Sequence, residues 1–152
     1  MMKFSTRQDT DVPAEALFKA VSDFDKLERI LLRRGAEVRR EDRGGPVGIG
    51  SAWQILFDWR GRPRDLALKL TGYQPPEHLI FAGQSPQFNV GIEITVVALT
   101  RTKSRLITEI DMQPRGMKAR LLLQTAKLAK SQLDRKFAQR VEDFVGRIAV
   151  SQ

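Results

Sequence analysis

The chain has 152 residues, 41% hydrophobic and 29% charged, a composition that fits one globular domain and excludes a disordered or fibrous chain. It has no cysteine, which rules out disulfides, thiolate metal sites and a cysteine nucleophile, and agrees with a reducing compartment. With 26 Lys and Arg against 18 Asp and Glu, the net charge is +8, a surface drawn to anionic lipid, nucleic acid or acidic ligands unless the excess only keeps the chain soluble.

In chain order, Lys3 to Asp11 reads as a first strand with weak alternation. Asp11-Val12-Pro13-Ala14-Glu15 opens a helix: Asp11 or Val12 can cap it, Pro13 suits the first helical position, and Glu15 favours the positive end. Leu17, Phe18 and Val21 follow at helical spacing. A second short helix is predicted from about Asp25 to Arg34, with Leu27, Ile30 and Leu31 on one side and Gly35 as its stop.

From there the period changes to two. Ala36 to Glu41 is a short strand and Gly44-Gly45-Pro46 a turn. Gly50 to Arg60 alternates most clearly, with Trp53, Ile55, Phe57 and Trp59 on one face. Gly61-Arg62-Pro63 is read as a turn, followed by a strand from Asp65 to Tyr73 that puts Leu66, Leu68 and Leu70 on one side. Pro75-Pro76-Glu77 is the next turn, and His78 to Gln84, Phe88 to Thr100 and Ser104 to Gln113 complete the strands. A hairpin turning at Thr102 sets Ile92 opposite Met112, Ile94 opposite Ile110 and Val96 opposite Thr108 on one face. Glu93 opposite Asp111 and Thr95 opposite Glu109 then fall on the other. Met117 to about Ile148 is predicted as a single long helix, its apolar stripe running through Leu122, Ala126, Ala129, Leu133, Phe137, Val141, Phe144 and Ile148. A sheet with one apolar face and a helix with one apolar stripe bury each other, so the expectation is a single α+β domain spanning 1–152.

This order of elements resembles the helix-grip fold of the START-like superfamily (SRPBCC), which includes polyketide cyclases, lipid-transfer domains and the birch-pollen allergen family. Val12-Pro13-Ala14-Glu15-Ala16-Leu17-Phe18 looks like the family's V-P-A-E-x-V-F opening, Gly48-Ile49-Gly50 resembles its G-x-G before the third strand, and Pro76 to Phe81 resembles its P-x-x-L-x-F strand entry. The tryptophan usual in the family's second helix is absent, with Glu28-Arg29 near its place. The resemblance implies a seven-stranded curved antiparallel sheet wrapped around a long C-terminal helix, with two short helices after the first strand. It also implies a ligand cavity between sheet and long helix. The candidate lining is the apolar face already assigned: Trp53, Ile55, Phe57, Trp59, Leu66, Leu68, Leu70, Phe81, Ile92, Ile94, Ile110 and Met112, with Leu122, Leu133 and Phe137 from the helix. Thr108 is the polar contact among them.

Chemistry is sparse. The single histidine, His78, stands at a strand entry, and without cysteine no transition-metal constellation of familiar spacing exists. No cofactor and no catalytic residue is assigned. Glu93, Glu109 and Asp111 cluster on the polar face as a solvated ion-pair surface, with Lys69 or Arg105 nearby. Gly44 to Gly50 lacks the G-K-[ST] ending of a phosphate loop and enters a strand, so it is read as a turn beside the cavity mouth. The bases of the long helix flank the apolar stripe and occupy its back without interleaved aromatics, which disfavours a nucleic-acid groove. Arg115, Met117, Lys118, Arg120, Leu121 and Leu123 instead form a basic, over-apolar helix start, read as the cavity mouth or a contact with an anionic membrane.

No apolar run reaches the ~20 residues of a membrane span, and the opening residues lack the apolar stretch of a secretory signal, so a cytoplasmic location is expected. The first functional reading is a non-catalytic holder or carrier of a hydrophobic or amphipathic small molecule such as a lipid, quinone or polyketide. An enzyme of the cyclase or dehydratase kind using Thr108, Tyr73 or Glu109 is the second, and a basic protein docking on RNA or ribosomes the third.

Overall fold

The computed structural model describes residues 1–41, 46–59 and 61–151. The elements are β1 (Met2–Thr10), α1 (Ala14–Val21), α2 (Phe24–Arg33), β2 (Glu37–Arg40), β3 (Ala52–Trp59), β4 (Arg62–Gln74), β5 (His78–Gln84), β6 (Phe88–Ala98), β7 (Ser104–Pro114), α3 (Met117–Lys127) and α4 (Lys130–Ser151). Seven strands form one antiparallel sheet in the order β1-β7-β6-β5-β4-β3-β2. The turn read at Gly44-Gly45 and the strand end at Arg60 lie outside the described residues.

Each strand presents alternate residues to one concave face. On β3 and β4, Trp53 faces Leu68, Ile55 faces Leu66 and Phe57 faces Arg64. At Leu70–Gly72 the pairing slips by one residue, so Tyr73 rather than Gly72 returns to the inner face opposite Leu79. Gly72 is required there, because a Cβ would stand 2.9 Å from that of Ile80. α1 and the C-terminal half of α4 bring Leu17, Phe18, Val145 and Ile148 into the main core, while Ser104 Oγ donates to Val12 O at 2.6 Å and ties β7 to the entry of α1.

Four details differ from the sequence reading. α1 begins one residue later, so Pro13 occupies the cap position and no side chain caps the helix; Asp11 and Val12 do not. β4 begins at Arg62, with Pro63 inside the ladder opposite Asp58. β5 reaches β4 only from Ala67 onward, so the ladder has one free side at Pro63 and tolerates the missing N–H. The β6–β7 pairing is shifted by one pair on the same face: Val90 faces Met112, Ile92 faces Ile110, Ile94 faces Thr108, and Glu93 faces Glu109. Finally, the C-terminal helix is two segments. Leu128 and Ala129 donate three residues back, to Thr125 O and Ala126 O, and Leu128 is exposed at the break. The split lets each segment follow a different surface: α3 buries Ala119, Leu123 and Ala126 against Met2 and Phe88, while α4 lies along β1.

Candidate functional site

The concave face divides into a filled end and an open end. At the filled end Phe24, on the first turn of α2, packs onto the inner face of the sheet. Its ring lies 5.5 Å from Trp53 and 6.2 Å from Phe81, and those two rings are themselves 6.2 Å apart. Asp23 holds α2 in this position, its side chain accepting from the Lys26 N–H at 3.2 Å. Glu28 then accepts a 2.7 Å hydrogen bond from Trp53 Nε1, which satisfies the one polar atom the indole brings inward. Trp53, Ile55, Leu70 and Phe81 are all buried here.

At the open end a hollow of about 500 Å³ remains, within the range of small-molecule sites. Phe57 and Trp59 of β3, Leu66 of β4, Phe88 and Val90 of β6 and Met112 of β7 supply its apolar walls. Arg64 and the Ser85-Pro86-Gln87 turn supply the polar part, and Asp65 borders it with its carboxylate turned to Gln54 on the other face. Trp59 is 40% exposed, so the hollow opens to solvent beside an indole. The start of α3 is stitched to this rim: Arg115 N donates to Gln87 O, and its Nη1 donates to Ser85 O, both at 2.7 Å.

The residues singled out from the sequence therefore separate. Phe57, Trp59, Met112 and Leu66 line the hollow, whereas Trp53, Ile55, Leu70 and Phe81 do not. Leu68, Ile92 and Ile94 pack against the main core, and Ile110 is half-buried between Ile92 and Phe4 in the ladder. Thr108 is buried opposite Ile94, away from the hollow. Among the described residues no side chain of α3 or α4 lines the hollow: Phe137 tilts against Phe4 at 5.9 Å, and Leu122 and Leu133 pack on the Met2–Phe88 cluster. At the expected mouth, Arg115 touches the rim, while Met117, Lys118, Arg120 and Leu121 are exposed on α3. Leu123 is buried, because it lies on the face of α3 that covers Met2 and Phe88.

Arg64, Phe88 and Val90 were not in the sequence-derived set. Their signal was parity: Arg64 is in step with Leu66, Leu68 and Leu70, and Val90 with Ile92 and Ile94. Of the polar groups considered for catalysis, Tyr73 stacks edge-on to Phe18 at 6.2 Å and Glu109 is on the outer, solvent face. Glu93 is opposite Glu109, and Asp111 opposite Gly91, on that same face. Arg105, expected near them, instead pairs with Asp9. His78 Nδ1 lies 3.3 Å from Thr95 Oγ1 at the strand entry.

No protein-family model and no curated protein matches the sequence. Solved structures do. The aromatase/cyclase Zhui from Streptomyces sp. R1128 superposes with a TM-score of 0.66 at 13% identity, covering 97% of this chain and 93% of that one. Ara h 8.0201 gives 0.67 at 15% identity, with 99% of both chains covered. A START superfamily protein from Mycobacterium smegmatis gives 0.60 at 16% identity, with 93% of this chain and 97% of that one covered. With the element order, the single antiparallel sheet and these superpositions together, the chain has the helix-grip α+β fold that these solved structures share.

Proposed function

We propose that this protein binds a hydrophobic or amphipathic small molecule in the hollow at the open end of the sheet, as a carrier rather than a catalyst. The observation that carries this reading is the hollow itself, about 500 Å³ of unfilled space walled by six apolar side chains beside a partly exposed tryptophan. Close-packed interiors leave few voids larger than a water molecule, so apolar walls left apart at this scale fit an occupant. Two structural neighbours are named an aromatase/cyclase and a START superfamily protein, and the shared fold supports a ligand-binding reading. The cyclase reading has less support, because Thr108, Tyr73 and Glu109 all stand outside the hollow.

The test is binding of the fluorescent apolar probe N-phenyl-1-naphthylamine. Saturable binding is expected, and Met112→Trp, which fills the hollow, should weaken it about tenfold or more while the circular dichroism spectrum is retained. Equal binding by the variant would place the probe elsewhere and remove the reading.

A second reading, exchange of the ligand at an anionic membrane, is favoured by α3. Met117, Leu121 and Leu128 are 69%, 57% and 89% exposed and project on one side of the helix, opposite the buried Ala119 and Ala126. Lys118 flanks this stripe on one side, and Arg120 and Lys127 on the other. No acidic residue occurs between Asp111 and Asp134. An apolar strip edged by cations is the pattern of an interfacial helix. Sedimentation with phosphatidylglycerol vesicles should capture the protein, phosphatidylcholine vesicles should not, and the pair Leu121→Glu and Leu128→Glu should abolish capture. Capture that is indifferent to both changes would sink this reading.

A further inference from the structure

Arg64 is an anomaly in an apolar hollow. It faces Phe57 across the β3–β4 ladder, so its side chain leaves the sheet on the concave side, in line with Leu66 and Leu68. Its guanidinium carbon stands 5.2 Å from the centre of the Trp59 ring, and Nη1 donates to Gln87 Oε1 at 2.9 Å. The contact with Trp59 and the bond to Gln87 hold the group at the wall of the hollow. What remains is its other edge. Nε is buried and has no hydrogen-bond partner, and Nη2, which points the same way, has none among the described residues. No carboxylate of the described residues pairs with Arg64: the neighbouring Asp65 accepts from Gln54 on the outer face instead.

A buried donor without an acceptor is rare in folded proteins, and rarer when it carries charge. The Nε–Nη2 edge of an arginine is a flat fork whose two parallel N–H bonds match the two oxygens of a carboxylate. Here the fork is held by its neighbours, borders the hollow and is unused. We propose that Arg64 is an anion-binding site, and that the guest is an amphipathic small molecule with a carboxylate or similar oxyanion at one end. The oxyanion docks on Nη2 of Arg64, and a small shift of the side chain brings the buried, unpartnered Nε to it as the second donor. Gln87, whose Nε2 has no partner among the described residues, stands beside it as a further donor. The apolar body then lies over Leu66, Val90 and Met112. This inference rests on the reading of the hollow as a ligand site and adds to it the chemical class of the ligand.

The experiment displaces N-phenyl-1-naphthylamine from the full-length chain with matched pairs that differ only at the head: dodecanoate against dodecanol, and 2-naphthoate against 2-naphthol. In the wild type the acid of at least one pair should displace the probe at a concentration about tenfold or more below its alcohol, as a charged hydrogen bond allows. The pair with the larger gap tells a chain from a ring. Arg64→Gln should close that gap, because each acid loses more displacing power than its matched alcohol does. Lys19→Gln, at an exposed cation on α1 that does not line the hollow, should leave the gap intact. Acids and alcohols that compete equally in the wild type, or a gap that survives Arg64→Gln, overturn the anion site and leave the hollow as a neutral-ligand site. Failure of the probe to bind at all removes the hollow as a ligand site and the anion site with it.

Discussion

Phe24 closes the space over one end of the inner face. It contacts both Trp53 and Phe81, so these inner-face aromatics become core and the hollow starts only beyond them. Phe24→Ala is expected to cost about 3–5 kcal/mol, the usual cost of removing a buried phenyl, measured as a lowered urea midpoint with unchanged slope. Binding of N-phenyl-1-naphthylamine by the folded variant should stay within about twofold, since Phe24 does not line the hollow. This is also why the site was only partly legible in the sequence. Alternation says that Trp53 and Phe57 face the same way; it does not say that a residue from α2, about thirty positions before either, comes to fill the space over one of them. Glu28, which stands near the place of a missing tryptophan, likewise declares its role only when Trp53 is brought to it.

At the scale of elements, strands were readable because each has one apolar face, and their offset was not. Two alignments of β6 and β7 that differ by one pair sort apolar from polar equally well, so patterning cannot choose between them. The turn chooses. Thr100 Oγ1 accepts from the N–H groups of Thr102 and Lys103, and Leu99 N donates to Lys103 O, which closes the hairpin around Arg101. The break at Leu128 was equally hidden, since no proline or glycine marks it and the apolar stripe continues through it. Between β1 and β7 the pairing carries an ion pair. Arg105 donates through Nε to Asp9 Oδ1 at 2.6 Å and through Nη2 to Oδ2 at 3.1 Å. That hydrogen bonding, helped by the guanidinium charge, holds the Asp9 carboxyl below its ordinary value. A lowered folded-state value stabilises the fold above the unfolded carboxyl pKa of about 3.9 and loses that contribution as the pH falls through the folded value. Both partners are largely solvated, so the effect is small. Asp9→Asn should therefore lower the urea midpoint slightly at pH 6, and the difference from wild type should close below about pH 4.

For the molecule as a whole, the charge of +8 is unevenly used. The outer face of the sheet carries Glu93, Glu109 and Asp111, whereas the stretch from Met112 to Leu133 holds cations and no acid. Association with anionic vesicles through α3 should weaken steeply as salt rises from low to moderate concentration, because exposed charges are screened within about 10 Å at 0.1 M. Retention that does not respond to salt would leave the apolar strip without its basic edges as partners in docking.

Where the hollow sits has a consequence for how such a protein changes over generations. On the proposed reading the walls of the hollow serve twice, since Phe57 and Leu66 also pack on the main core and Val90 and Met112 on the Met2–Phe88 cluster, so substitutions there that retune what is accommodated also draw on the stability of the scaffold.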